Sequence, residues 1–338
     1  MTTLTITGRG FVRYAGPDIL DVIDFNTTGD TTARFSTNHL NFSSTTVLDL
    51  TVLGSIHADT LKIQTTGSGS LDAQSVAFEP GWSKLDSLVI VDTLGDSTIA
   101  GSTKSDRIVV TGGSDSVLGL AGEDTLVVNY RGRLEDFGMD GPRTIVGSAD
   151  LSVTFFGVEQ LDVTLGGGDD TVRGLATGDD ILRGRAGADN LIGGLGDDTL
   201  KGGAHSDTLK GNQGKDTLDG GKGQDRLNGG AGNDEFVFAK PGQGGDIIDD
   251  LRDQSGNNDK LVIEAAGFKG GLEAGRLSDE QFQSSDDNIA QDRDVRFIFN
   301  TSNNTLWFDR NGHADGGLTL LAVLQASAAV EANDIVLI

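Results

Sequence analysis

A chain of 338 residues with 50 glycines, 36% hydrophobic residues and 6% aromatics has few large apolar groups with which to build an ordinary globular core. Its formal net charge of −25, from 51 acids against 26 bases, repels nucleic-acid phosphates and anionic membrane surfaces and attracts cations. Without cysteine there are no disulfides or thiolate metal sites, and no apolar run approaches the roughly 18 residues of a transmembrane helix.

Residues 1–91 hold short β-type runs, "DILDVIDF", "TVLDLTVL", "DTLKIQ", "SVAF" and "DSLVIV", broken by Gly, Ser, Asn and Asp. They read either as a β-sandwich or as irregular coils of a β-solenoid. The opening "MTTLTITGRGFVRYAG" lacks a basic segment followed by an apolar run, so no cleavable Sec-type signal is expected there. A nine-residue phase begins at 92 and holds to 127: "DTLGDSTIA", "GSTKSDRIV", "VTGGSDSVL", "GLAGEDTLV". Its sixth places are Ser97, Asp106, Asp115 and Asp124, and the apolar residues two places on are Ile99, Ile108, Val117 and Leu126. A β-rich connector follows over 128–164.

The second array, 165–237, runs "LGGGDDTVR", a spare Gly174, then "LATGDDILR", "GRAGADNLI", "GGLGDDTLK", "GGAHSDTLK", "GNQGKDTLD", "GGKGQDRLN" and "GGAGNDEFV". Sixth-place acids are Asp170, Asp180, Asp189, Asp198, Asp207, Asp216, Asp225 and Asp234, each followed two places later by Val, Leu or Phe. Beyond it, 238–338 supplies bulky apolar residues of the kind that close a solenoid end. Within it, 271–338 reads as a further β segment plus a short amphipathic or loosely ordered "TLLAVLQASAAVEAND".

The last three places of a unit, such as "TLK" at Leu200, alternate polar and apolar as a very short strand does, and the first six read as turn. Two units then make one coil of 18 residues, and residues 18 apart stack at ~4.8 Å. One side carries Asp180, Asp198, Asp216 and Asp234. The other carries Asp170, Asp189, Asp207 and Asp225, with Gly174 as a local bulge. Carboxylates ~5 Å apart at an effective dielectric of 20 repel by roughly 3 kcal/mol, and a column of single leucines is a thin core to set against that. A cation between coils reverses the sign. Oxygen ligands in a flexible six-to-eight-coordinate site suit Ca²⁺ better than Mg²⁺, and the lack of Cys and clustered His disfavours zinc.

The units resemble the glycine-rich nonapeptide repeat of the RTX, or haemolysin-type calcium-binding, secreted proteins. That resemblance implies an all-β fold: a parallel β-roll or β-helix at 165–237, a shorter block of the same kind at 92–127, and multiple Ca²⁺ ions. It further implies that turn carbonyls and sixth-place carboxylates bind the ions. Carried onto this chain, the metal residues are Gly113, Asp115, Gly122 and Asp124 in the first block. In the second they are Gly168, Asp170, Gly178, Asp180, Gly187, Asp189, Gly194, Gly196, Asp198, Gly203, Asp207, Gly214, Asp216, Gly221, Gly223, Asp225, Gly230, Gly232 and Asp234. Asp246 and Asp249, with Asp250 and Asp259, follow the last turn and read either as a terminal calcium site or as cap surface. About six ions fit the second array at one per gap in each ladder, and the first block holds one or two. His205 in place of the fourth-place glycine weakens the expected site at Asp207, as Lys104 and Ser97 do in the first block.

"RFIFNTSNNTLWFDRNGHADGG" followed by "DIVLI" is similar to the carboxy-terminal region of family members exported by type I systems. This implies an uncleaved signal, export unfolded and poor in calcium, and folding outside the cell. The partners so implied are calcium ions, the type I secretion machinery, and an extracellular polysaccharide or cell surface; nucleic acid is not expected. The function read from all this is a secreted, calcium-dependent structural, matrix or adhesion component. The competing reading is a secreted carbohydrate-active or other hydrolytic enzyme with its site in 1–91 or 128–164. No H-E-x-x-H, G-x-S-x-G or Walker motif supports it. "DRNG" at 309–312 reads as a calcium turn or a plain Asx turn, and the histidines (His39, His57, His205, His313) as surface residues.

Overall fold

The computed structural model describes residues 3–13, 22–36, 46–47, 51–53, 59–64, 69–72, 77–78, 87–92, 96–139, 141, 143–147, 151–251, 258–312, 316–325 and 329–338, with side chains from residue 88 onward. His39, His57 and His313 lie outside the described residues. Among those described there are strands and short 3₁₀ turns but no α-helix, and no helix long and apolar enough to cross a membrane. The fold is a parallel β-roll in two compact units, Met1–Arg131 with Phe137–Thr164 and Gly132–Asp136 with Leu165–Ile338.

In the first unit, Thr3–Arg13 pairs in parallel with Val22–Ser36, whose end pairs with Asp59–Gln64, and that strand with Ser87–Val91. Parallel neighbours of this kind decide for solenoid coils over a sandwich built from antiparallel hairpins. The ladder continues through Asp106–Val110, Thr125–Asn129 and Gln160–Thr164. On the second sheet, Ser97–Ala100, Ser114–Leu118 and Ser152–Phe156 stack in the same way. There the connector leaves the coil: Gly138–Met139 and Thr144–Val146 form a hairpin antiparallel to Ser152–Phe156. Tyr130 and Phe137 stack at its root, ring centroids 4.8 Å apart.

In the second unit the 18-residue stacking is seen directly. Leu182 pairs with Leu200, Leu200 with Leu218, and Leu218 with Phe236; opposite them run Val172, Leu191, Leu209, Leu227 and Ile248. All are fully buried, so two columns from two sheets share one thin core.

The nonapeptide divides differently from the expectation of three strand and six turn residues. Strands such as Thr199–Ala204 and Thr217–Lys222 span six residues and run into the next unit's first three places. Positive φ at Gly203 and Gly221 bends the chain there while its backbone groups still pair with the adjacent coil. Gly174 is not a spare bulge. Its N–H donates to the Ile192 carbonyl, which places it in the inward first position of its unit. The extra residue is taken up further on, before Gly178, whose carbonyl faces Gly196 as in the regular coils.

The array is closed by the tail. Lys260–Ile263 and then Ile335–Leu337 extend one sheet in parallel, and Asp246–Ile248 followed by Leu318–Leu324 extends the other. The expected amphipathic or loose stretch therefore begins as a strand, Leu318–Leu324, with Leu321 and Leu324 inward. Thr305–Asp309 and Phe297–Asn300 add antiparallel strands. Phe268 packs edge-on against Phe308 at 4.9 Å to seal that end.

Candidate metal centre

Every regular coil holds its sixth-place aspartate the same way. The backbone N–H of Asp180 donates to Oδ1 of Asp198 at 2.7 Å, that of Asp198 to Asp216 at 2.8 Å, and that of Asp216 to Asp234 at 2.9 Å. On the opposite side the series is Asp170 to Asp189, Asp189 to Asp207 and Asp207 to Asp225, at 2.8–2.9 Å. Each carboxylate thus satisfies the coil before it. The two predicted columns are present with the predicted members.

The second carboxylate oxygen is the unusual one. Oδ2 of Asp189, Asp198, Asp207, Asp216, Asp225 and Asp234 is buried and without a hydrogen-bond partner. These side chains sit among backbone, none more than 2% exposed. A Cβ on Gly211 would collide with Asp216 Oδ2 and with the Gly229 carbonyl, so the glycine at the first place makes room for two oxygens that face each other. The fourth-place carbonyls form a further column: the Gly196 carbonyl lies against Gly214, and that of Gly214 against Gly232.

Burial of these charges raises their pKa values. Desolvation is the largest cause throughout, opposed by the ladder hydrogen bond and reinforced by neighbouring acids. It pushes Asp198 up to about 8, Asp207 and Asp234 to about 7, and Asp189 and Asp216 to about 6; Asp225 moves in the same direction. Converging carbonyls and unpartnered carboxylate oxygens form a donor set of oxygen alone, which fits a hard divalent cation. Among the described residues no three Asp, Glu, His or Cys side chains gather at one point. A cation here would accordingly rest on one or two carboxylates and on main-chain carbonyls.

Departures from the repeat behave unequally. His205 adopts φ +83°, its Nδ1 2.8 Å from the Ala204 carbonyl and 3.3 Å from the Gly187 nitrogen, and the rung at Asp207 keeps its geometry. In the first block, Ser97 donates its N–H to Asp115 Oδ1 at 2.9 Å, and Asp106 donates to Asp124 Oδ1 at 2.8 Å. Asp106 itself is closed off by Ser102, whose N–H reaches one oxygen and whose hydroxyl reaches the other at 2.5 and 2.9 Å. Asp180 is similar, since the Leu175 N–H takes its Oδ2 at 2.5 Å. Asp115 and Asp124 keep an unpartnered buried Oδ2.

Past the last repeat, Asp246 accepts from the Asp225 N–H at 3.1 Å and Asp259 from that of Asp234 at 2.8 Å, so both prolong the ladders. Asp250 accepts from the N–H groups of Gly229 and Gly230. Asp249 is not brought to the ladder; it pairs with Arg226 at 2.7 Å on the outside. "DRNG" forms an Asx turn, with the Asn311 N–H donating to Asp309 Oδ1 at 3.1 Å.

Sequence reasoning missed three features. First-place glycines matter as much as the second- and fourth-place ones, and the consensus itself was the signal. Fifth-place side chains form an outer ladder of opposite sense, in which the Asp197 N–H donates to Asp179 and the Lys215 N–H to Asp197; doubled acids such as "GDD" announced it. Glu159 accepts the Asp124 N–H, and no periodicity pointed to it.

The model of the RTX calcium-binding nonapeptide repeat matches residues 92–126, 164–200 and 201–236. These segments are RTX repeats. The RTX match falls on the stretches whose aspartates stack, and it supports a calcium-binding β-roll over those repeats. A search of curated proteins returned no match. Among solved structures, the extracellular lipase LipA from Serratia marcescens aligns at 16% identity with a TM-score of 0.28, over 83% of this chain and 45% of that one. The chain spans less than half of that lipase's length.

Proposed function

We propose that this chain is an RTX β-roll that folds when Ca²⁺ fills its aspartate ladders, and that it works outside the cell as a structural, matrix or adhesion component. The observation that carries this reading is the run of buried, unpartnered Oδ2 atoms from Asp189 to Asp234. Such a buried carboxyl either stays protonated, as the raised pKa values show, or needs a counter-charge once it ionises. Asp170, Asp189, Asp198, Asp207, Asp216, Asp225 and Asp234, prolonged by Asp246, would hold the ions together with carbonyls of the glycine turns; Asp180, with the Leu175 N–H on its Oδ2, is the weakest member of the set. Affinities of ~10⁻⁴ to 10⁻³ M suffice in extracellular calcium and leave the chain unfolded where calcium is scarce.

Export by a type I system fits this coupling, because the tail resembling a secretion signal ends in strands buried against the roll. Ile335 and Leu337 are 1% and 3% exposed, so these apolar side chains are accessible before folding and hidden after it. A polysaccharide or cell surface is the partner proposed outside. Far-UV circular dichroism during a Ca²⁺ titration of the chelated chain tests the reading. A transition from coil to β spectrum is expected; an unchanged spectrum with no ions bound by calorimetry would sink it.

A further inference from the structure

Asp124 is the last sixth-place acid of the first repeat block, yet the ladder continues past it. Beyond Thr125–Asn129 the chain makes its hairpin excursion, returns through Ser152–Phe156, and enters Gln160–Thr164. The turn joining these last two strands is Gly157, Val158 and Glu159, half as long as the six-residue turn 119–124 beneath it. Three residues cannot hold a glycine-rich loop with an aspartate at its end. Glu159 compensates with one more methylene: its Oε2 reaches back and accepts the Asp124 N–H at 2.9 Å, the position that a sixth-place aspartate takes in every regular coil. The backbone closes the same contact, as the N–H groups of Glu159 and Gln160 both donate to the Asp124 carbonyl, at 3.1 and 3.0 Å.

Asp124 is 1% exposed, and its Oδ2 is buried without a hydrogen-bond partner. That oxygen is aimed at the space over Gly119, where a Cβ would collide with it and with the Gly157 carbonyl. Gly157 reaches this position at φ +60°. An orphaned carboxylate oxygen and a carbonyl therefore border one space at the end of the first ladder, and a second carboxylate is held beside it on the Asp124 N–H. Two of the three come from a turn that lies outside the repeat.

We infer that Asp124, Glu159 and the Gly157 carbonyl form a divalent-cation site, filled by Ca²⁺, that terminates the first repeat block. The inference rests on the reading that ladder aspartates hold calcium, and it adds a ligand that the nonapeptide pattern does not contain. Oxygen-only donors and a bulky, adaptable Glu suit calcium's loose coordination sphere.

The test is an ion count on the full-length chain at saturating calcium, followed by crystals grown in calcium and measured for anomalous scattering. Glu159→Gln keeps an oxygen to accept the Asp124 N–H and removes the charge; it is expected to bind one ion fewer than the parent. Glu123→Gln, on the exposed fifth place beside it, is expected to lose none. In the unaltered chain an anomalous peak is expected between Asp124 Oδ2 and Glu159, which keeps the test independent of how the variant folds. An unchanged ion count in Glu159→Gln, or no peak there while the 170–259 ladders carry theirs, overturns this site and leaves the wider reading standing. No bound calcium anywhere in the chain is the distinct result that would defeat both.

Discussion

The two repeat blocks use one backbone and treat their carboxylates in two ways. In the first, Ser97 replaces one acid and Ser102 wraps another, so that both Asp106 oxygens accept hydrogen bonds from the chain itself, while Asp115 and Asp124 keep an unpartnered oxygen. In the second, Asp189 through Asp234 each leave a buried oxygen unanswered. The difference teaches that coil stacking and cation demand are separable. A serine at the right place supplies a donor permanently, whereas an orphaned Oδ2 makes folding wait on the surroundings.

Chelation should separate the orphaned rungs of the second block from the serine-wrapped rung of the first most sharply. By hydrogen exchange with and without EDTA, amides in 180–236 are expected to lose protection by ~100-fold or more, the effect of removing an ion held at 100 times its Kd. The Ser102 amide, held by Asp106 rather than by an orphaned acid, is expected to lose far less. Equal loss there would break the comparison.

Asp216→Asn comes next, and its effect changes sign. In saturating calcium it removes a ligand and should lower stability by about 3 kcal/mol. Without calcium it removes an uncompensated buried charge and should raise the stability of whatever residual roll survives, by about 1–3 kcal/mol. Denaturant titrations under the two conditions check both halves.

The pH response follows from the raised carboxyl pKa values. Folded Asp189, Asp198, Asp207, Asp216 and Asp234 titrate between about 6 and about 8, against 3.8 as the ordinary value. Between those limits the folded chain binds more protons than the unfolded one, so calcium-free stability falls as pH rises through this window. The calcium-free chain should therefore gain β signal in circular dichroism on going from about pH 8 to about pH 5. Calcium affinity should fall over the same range, as protons compete for the carboxylates.

The smallest effect is Ser102→Ala. It strips the hydroxyl donor from Asp106 and should cost about 1–2 kcal/mol, by thermal melting, whether or not calcium is present. A calcium-dependent loss would show that Asp106 belongs with the second block after all.

The repetition made the ladders legible, because a side chain recurring every 18 residues can only stack upon itself in a coil of that length. Acid, leucine column and cation demand all followed from Asp198 and Leu200 and their copies. Gly174 was misread because an insertion can be absorbed anywhere in a flexible turn, and only backbone pairing to Ile192 shows where. The strand-turn division failed at Gly203, since glycine reads as turn even when its N–H and carbonyl stay in a ladder. Glu159 carried no signal at all. It lies 35 residues past Asp124, and the hairpin between them hides that they are neighbours in space.

One property of the ladder bears on how such a chain can change in length. Each rung's N–H is answered by the carboxylate one coil ahead, so Asp225 and Asp234 depend on Asp246 and Asp259, which no repeat supplies. Adding or deleting 18 residues upstream leaves both terminal pairings intact, because every face returns to itself. A change of nine turns the closing segment to the opposite faces together with the units it pairs with, so Asp246 and Asp259 still meet the last two rungs. The array is therefore free to grow from within, and its closing segment travels with the final coil.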